Sequence, residues 1–304
     1  RSAIGSAKTM PSTTDRDRPR EHTRSSTQDP EQSGIRTGIN RFLNIIRKYR
    51  SCRTIVWPVR YFGDVEMPVI TFANTKGGAG KTTAVLLLST ELARQGYRVT
   101  ILDGDPQRWI SRWHEMGEPM ANISVISYVT AANIQPLVAG HRDTTDYYVL
   151  DMPGASTPLL ATAIGMSDHV LIPIQGCAMD AKGGAQVLEL LKYLEEKSNI
   201  RIPHSVVLTR VNSMVTTRAL GAIKALLAER KVRVLDTPII ERAAYRDLFD
   251  FGCSLYDGQC DQFSNLDKAR ENAQAFALEV MGYVPNRAIR PTEKPQLRLV
   301  RAVA

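Results

Sequence analysis

Cysteine is scarce in this chain: four in 304 residues, at Cys52, Cys177, Cys253 and Cys260, with no CxxC pair. Such spacing supplies neither a disulfide framework nor a thiolate zinc site, and it fits a reducing compartment. Long apolar runs are missing too. None approaches the roughly 20 residues of a membrane-spanning helix, and no charged-then-apolar leader opens the sequence. The chain therefore reads as a soluble intracellular protein, long enough for one large or two ordinary domains.

A body-wide excess of positive charge is also lacking. The net charge of +8, from 39 Lys+Arg against 31 Asp+Glu, resides in the ends: residues 1–66 carry +6, residues 67–284 carry −2 and residues 285–304 carry +4. Nucleic-acid binding cannot be argued from that total. One local exception lies between Arg201 and Arg246, where nine Lys/Arg meet three acids (Glu229, Asp236, Glu241). A solvated face and a nucleic-acid surface both stay open for it.

Residues 1–34 are rich in Ser, Thr, Arg, Asp and Pro and read as disordered. Ile35, Ile39, Phe42, Leu43 and Ile46 then fall at helical spacing among Arg36, Arg41, Arg47 and Lys48, a short basic amphipathic segment. The chain opens on Arg, and Met67 directly precedes the first strong strand. Residues 1–66 are thus either a basic, disordered N-terminal extension or the product of a mis-set start. Residues 285–304 hold Pro285, Pro291 and Pro295 and form an irregular basic tail.

From Met67 to residue 284 the pattern is that of one α/β domain. Strands are expected at 69–73, 98–102, 123–127, 147–150, 169–174, 205–211 and 232–235. Helices are expected at 82–95, closed by Gly96, at 181–197 and at about 262–281. Strands that are apolar at nearly every position and alternate with helices indicate a mostly parallel sheet covered on both faces, a three-layer arrangement.

The chemistry concentrates in Thr75-Lys76-Gly77-Gly78-Ala79-Gly80-Lys81-Thr82-Thr83, between the first strand and its helix. A nucleoside triphosphate concentrates negative charge on its β and γ phosphates. Backbone N–H groups converge on that charge only where side chains do not obstruct, hence the glycines. Lys81 supplies a point charge, and the Thr82 hydroxyl is placed to ligate Mg²⁺.

The spelling KGGxGK[ST][ST], with its second lysine Lys76, resembles the deviant Walker A box of the ParA/MinD family of P-loop ATPases. The resemblance covers residues 67–283. It includes Asp103-Gly104-Asp105-Pro106-Gln107, similar to the family's DxDPQ, and Asp151-Met152-Pro153-Gly154, similar to its Walker B strand end and switch, where DTPP is commoner. It implies a three-layer P-loop NTPase fold, with ATP and Mg²⁺ as cofactors. Gly77, Gly78, Ala79, Gly80, Lys81, Thr82 and Thr83 would hold the nucleotide. Lys76 would reach phosphates bound by the partner of an ATP-dependent homodimer, and Asp105 would position the attacking water. Asp103 and Asp151 would lie near the waters of Mg²⁺, although a helix cap is an open alternative for Asp103.

Family members move plasmids, place division septa or insert metal clusters. The proline-broken tail speaks against a membrane-binding C-terminal helix, and Cys177 stands alone where an iron–sulfur relative needs bridging cysteines. Residues 1–66 offer no pair of helices suited to a helix-turn-helix. What remains is a slow, partner-stimulated ATPase of the plasmid or chromosome partitioning branch, cytoplasmic and nucleoid-associated. It would bind DNA without sequence preference through Arg218, Lys224, Arg230, Lys231, Arg242 and Arg246, and answer to a ParB-like centromere-binding protein. The segment Ile240-Glu241-Arg242-Ala243-Ala244-Tyr245 is similar to a box that VirC-type ATPases share. An ATP-gated recruitment factor for a conjugative or T-DNA transfer complex, with a relaxosome partner, is therefore the alternative. Thr209 and Arg210 are candidate adenine contacts.

Overall fold

A computed structural model describes residues 67–284 apart from 119, 177 and 213–217. The extension 1–66 with its amphipathic segment, the tail 285–304 and Cys177 lie outside the described residues.

Six strands are present among them: β1 (Val69–Phe72), β2 (Val99–Asp103), β3 (Ile123–Ile126), β4 (Tyr147–Asp151), β5 (His169–Gln175) and β6 (His204–Thr209). All pair in parallel, in the order β3-β2-β4-β1-β5-β6. Eight α-helices connect or flank them: α1 (Lys81–Arg94), α2 (Trp109–Met116), α3 (Ile134–Gly140), α4 (Pro158–Gly165), α5 (Ala178–Ser198), α6 (Arg218–Glu229), α7 (Ala243–Phe251) and α8 (Leu266–Tyr283). The expected α/β architecture is present.

Period-two alternation along each strand divides the core in two. Ile70, Phe72, Ile101, Tyr147, Val149, Leu171 and Val207 face α1, α7 and α8. Val69, Ala73, Leu102, Tyr148, Leu150, Val170 and Ile172 face α4, α5 and α6. Both faces are buried, which is why the strands lack polar alternation. Helix α1 is covered all round: Leu86, Leu87 and Leu88 are consecutive and fully buried. Its one acid, Glu91, is buried as well, and it accepts from Arg94 Nε at 3.0 Å and from the Tyr256 hydroxyl. Local signals set the ends of other helices. Thr157 caps α4 by accepting from Leu160 N–H at 3.1 Å, with Pro158 in the first helical turn.

The expected strand at 232–235 is not formed. Only Val234 makes an isolated parallel bridge, to Val206. Lys231 turns the backbone with φ 55°, and Pro238 follows closely without an N–H to donate, so little length remains for a ladder.

Register brings the chemistry to one edge. Phe72 and Asp103 both pair with Asp151, so the carboxyl ends of β1, β2 and β4 lie in one row, while β5, paired to β1 through Leu171, runs on past it to Gln175. In open parallel sheets, ligands bind at this carboxyl edge.

Candidate functional site

The phosphate loop leaves β1 under tight control. Asn74, fully buried, donates from Nδ2 to Pro173 O at 2.7 Å, and its Oδ1 accepts from Lys76 N–H at 2.8 Å. Beyond it, two loop carbonyls are held by strand-end side chains. Gln175 Nε2 donates to Gly78 O, and Thr209 Oγ1 donates to Ala79 O at 2.8 Å. In a planar trans peptide, C=O and the following N–H point in opposite directions. Anchoring these carbonyls on β5 and β6 therefore turns the N–H groups of Ala79 and Gly80 away from those strands, as a phosphate cradle requires.

Glycine is needed at Gly80, which opens α1 with φ 84° and would place a Cβ 3.1 Å from Thr209 Cβ. Gly154, after the β4 aspartate, is needed for a different reason. A Cβ there would lie 2.7 Å from Gly77 N and 2.8 Å from Gly77 Cα. The switch segment thus rests directly on the phosphate loop, which gives a physical reason for glycine where the resembled family more often has proline.

Lys81 is buried within this loop, and its Nζ donates to Lys76 O at 3.3 Å. Burial lowers its pKa, opposed by the charges of Asp151 and Asp105. Asp151 is fully buried, and neither of its carboxylate oxygens is met by a donor in good hydrogen-bond geometry, the Thr82 hydroxyl lying only near enough to favour its charged form. Burial pushes its pKa up to about 7; Thr82 and Lys81 act to lower it, while Asp103 and Asp105 add to the rise. An orphaned buried carboxylate beside a threonine hydroxyl fits a divalent cation that keeps much of its water shell, since Mg²⁺ commonly takes only one or two carboxylates besides phosphate oxygens. Bound there, the ion would supply positive charge to the phosphate oxygens.

Asp103 is occupied differently. Its Oδ2 accepts from Ser111 N–H at 2.9 Å and Ser111 Oγ at 2.6 Å, and Oδ1 accepts from Asp105 N–H at 3.2 Å. The N-cap of α2 is Arg108 and not Asp103, yet Asp103 takes the Ser111 N–H of that helix's first turn, and one Oδ1 lone pair remains. Asp105 is half-buried and organises its own turn: Oδ1 accepts from Gln107 N–H at 2.9 Å. Lys76, Thr82 and Thr83 are half-buried, while Gly77 and Gly78 are exposed. Thr209, a candidate adenine contact, is buried and serves the loop itself, and Arg210 is exposed. Asn74, Gln175 and Ser111 had escaped sequence reasoning. The first two carry a faint signal, a polar residue closing an otherwise apolar strand run.

The six basic candidates do not form one group. Arg230 and Lys231 line a groove of about 1590 Å³ together with Lys192, Arg201 and Arg233. That groove opens beside His169 and His204, at the amino ends of β5 and β6, opposite the phosphate loop. Arg218 and Lys224 are exposed on α6. Arg242 and Arg246 are at α7, where Arg246 pairs with Glu241 at 3.2 Å and the Arg242 Nε is buried without a partner.

Two outcomes follow from this geometry. Gly154→Ala should force the switch off the loop, lowering stability by about 1–3 kcal/mol and weakening nucleotide binding in equilibrium titration; wild-type affinity would contradict the close packing. Asp151 has a folded pKa near 7 above an unfolded value of about 3.9. The stability tied to its neutral form is present below pH ~4 and lost as pH rises through ~7. Asp151→Asn should therefore raise the ligand-free melting temperature at pH 8 by several degrees and hardly change it at pH 4. Parallel melting curves across that range would contradict the assignment.

Comparison with known proteins agrees with this arrangement. The family model described as VirC1 protein matches residues 67–275. A Rhizobium radiobacter "Protein ParA" is 39% identical over 214 residues, covering 70% of this chain and 96% of that protein. A "Protein virC1" of Rhizobium rhizogenes is 31% identical over 191 residues, 61% of this chain and 82% of its own length. Among solved structures, a chain of the MinC:MinD cell division protein complex of Aquifex aeolicus superposes with a TM-score of 0.58 at 18% identity, covering 71% of this chain and 96% of that one. A Cyanothece McdA variant in complex with ATP gives 0.55 at 18%, covering 70% and 96%. At such identities these structures speak to fold alone. Taken with the phosphate loop on β1 and the aspartates ending β2 and β4, the matches establish that the chain belongs to the VirC1 family, among P-loop ATPases of the ParA/MinD type.

Proposed function

We propose that this protein binds ATP with Mg²⁺, closes into a homodimer, binds DNA without sequence preference and hydrolyses ATP to drive plasmid or chromosome partitioning. The observation that carries the reading is the buried Asp151, its oxygens unpartnered, beside Lys81 in the phosphate loop. A lysine and a carboxylate kept out of water without full compensation suit a site completed by triphosphate and cation. The similarity to "Protein ParA" over nearly all of that protein's length supports the partitioning task.

Residue roles follow. Lys81 and the loop N–H groups hold the β and γ phosphates. Asp105, on the turn after β2, orients the attacking water. Lys76 reaches the phosphates bound by the partner protomer, where a cation from each side offsets the repulsion between two facing triphosphates. The site works in the cytoplasm, on the nucleoid, under a ParB-like partner; among the described residues no helix is long and apolar enough to cross a membrane. A second reading has its own support: the matching family model is VirC1, which favours an ATP-gated recruitment factor for a relaxosome or T-DNA transfer complex. Persistent ATP-dependent tethering with little turnover would favour that role.

Lys81→Ala should abolish ATP binding, and Lys76→Ala should keep it while removing the ATP-dependent dimer in sedimentation. A surviving dimer in the second variant would exclude the cross-protomer role. For DNA, the groove gathers Lys192, Arg201, Arg230, Lys231 and Arg233, set against the acids Asp168, Glu189 and Glu195. Arg230→Ala with Lys231→Ala should weaken binding to any sequence and reduce the salt slope by about 2. An unchanged slope would move the surface to Arg242 and Arg246.

A further inference from the structure

Helix α2 carries a hydrogen-bonded chain that the roles above do not use. Ser111, buried on its first turn, gives both its N–H and its hydroxyl to one oxygen of Asp103, at 2.9 and 2.6 Å. The other oxygen of Asp103 accepts the N–H of Asp105 at 3.2 Å. The Asp103 carboxylate is thus a bridge between α2 and the turn that presents Asp105.

The proton order along the chain is fixed by valence. A carboxylate only accepts, so the single Ser111 hydroxyl proton is committed to Asp103. In the 2.8 Å contact between Ser111 Oγ and Ser127 Oγ, Ser127 must therefore donate. Ser127 Oγ in turn accepts from Arg108 Nη2 at 3.5 Å. Arg108 is held at the outer end by Glu115 at 2.7 Å and by the Tyr128 ring, 4.6 Å from the guanidinium carbon to the centroid. Two residues of this assembly hold left-handed backbone, Arg108 at φ 52° and Tyr128 at φ 58°. Each costs on the order of 1 kcal/mol for a side chain of this kind, and such strain persists where the surroundings over-determine it. Here the two strained residues are themselves the cation–π pair, and its ring is largely exposed.

We infer that Ser111 is a positioning residue for Asp105. Ser127 and Arg108 back it, so the aim of the water-orienting carboxylate is set by a relay ending at the protein surface. The inference rests on the ATPase reading of the site. Ser111 makes none of its described bonds to residues 76–83, so losing it should disturb Asp103 and the turn at 104–107 far more than the phosphate cradle. Catalytic geometry tolerates little: a misplacement of about 1 Å can cost roughly 10²-fold in rate.

The test is ATP turnover and ATP–Mg²⁺ affinity measured separately on the full chain. Ser111→Ala should lower kcat about 10-fold with affinity within about twofold, and Ser111→Thr, which keeps the hydroxyl, should restore most of the rate. Ser127→Ala, which removes the donor to Ser111, should lower kcat about threefold with affinity again spared. Wild-type kcat in Ser111→Ala, or kcat and affinity falling together, would overturn the inference while leaving the ATPase reading intact. Should Ser111→Ala fail to fold, unchanged turnover in Ser127→Ala would overturn it instead. A wild-type chain that binds ATP and never turns it over removes the ATPase reading and this inference with it.

Discussion

Burial of opposite charges without enough partners is the constraint on which this molecule's chemistry depends. Lys81 and Asp151 both sit out of water at the carboxyl edge of the sheet, and desolvation presses each toward its neutral form. Unpaired buried charge is expensive in the interior. The ligand-free fold carries that cost against the burial of two apolar layers, one on each face of the sheet. On the proposed function, the same expense would become binding energy when anionic phosphate and a cation complete the set, so that instability in one state and affinity in the other would have a common origin.

Much of this was legible in the sequence. Phosphate chemistry demands small residues, one lysine and a hydroxyl at fixed spacing between a strand and a helix, so the loop at 75–83 could be read with its flanks. Strand ends at Asp103 and Asp151 were legible because parallel strands buried on both faces stop where a charge appears. Supporting contacts were not legible. Gln175 and Thr209 reach the loop from 97 and 130 residues away, and no local pattern announces them. Asp103 shows the same limit in reverse: the family resemblance implied a place near the cation's waters, yet its firmest partner is Ser111, eight residues on.

The basic stretch between Arg201 and Arg246 illustrates how linear charge counting misleads. Along the chain it is one run; in space the fold sends Arg230 and Lys231 to the amino end of the sheet and Arg242 and Arg246 to the start of α7. A turn at Lys231 and the truncated pairing at Val234 do the sorting. Spatial neighbours such as Lys192 and Arg233 then matter more than sequence neighbours.

The bond from Thr209 to the Ala79 carbonyl also bears on how the protein is made. Every strand pairing among the described residues is parallel, so none of these strands closes an early hairpin, and distant pairings must wait for the chain between them. While a ribosome is still extending the polypeptide, the loop encoded near residue 79 lacks its brace until the segment at 209 has emerged. Nascent chains shorter than that would expose a glycine-rich turn and unpaired strand edges, the state that chaperones guard. The brace on this loop is thus complete only once β6 is, and not at the appearance of the motif itself.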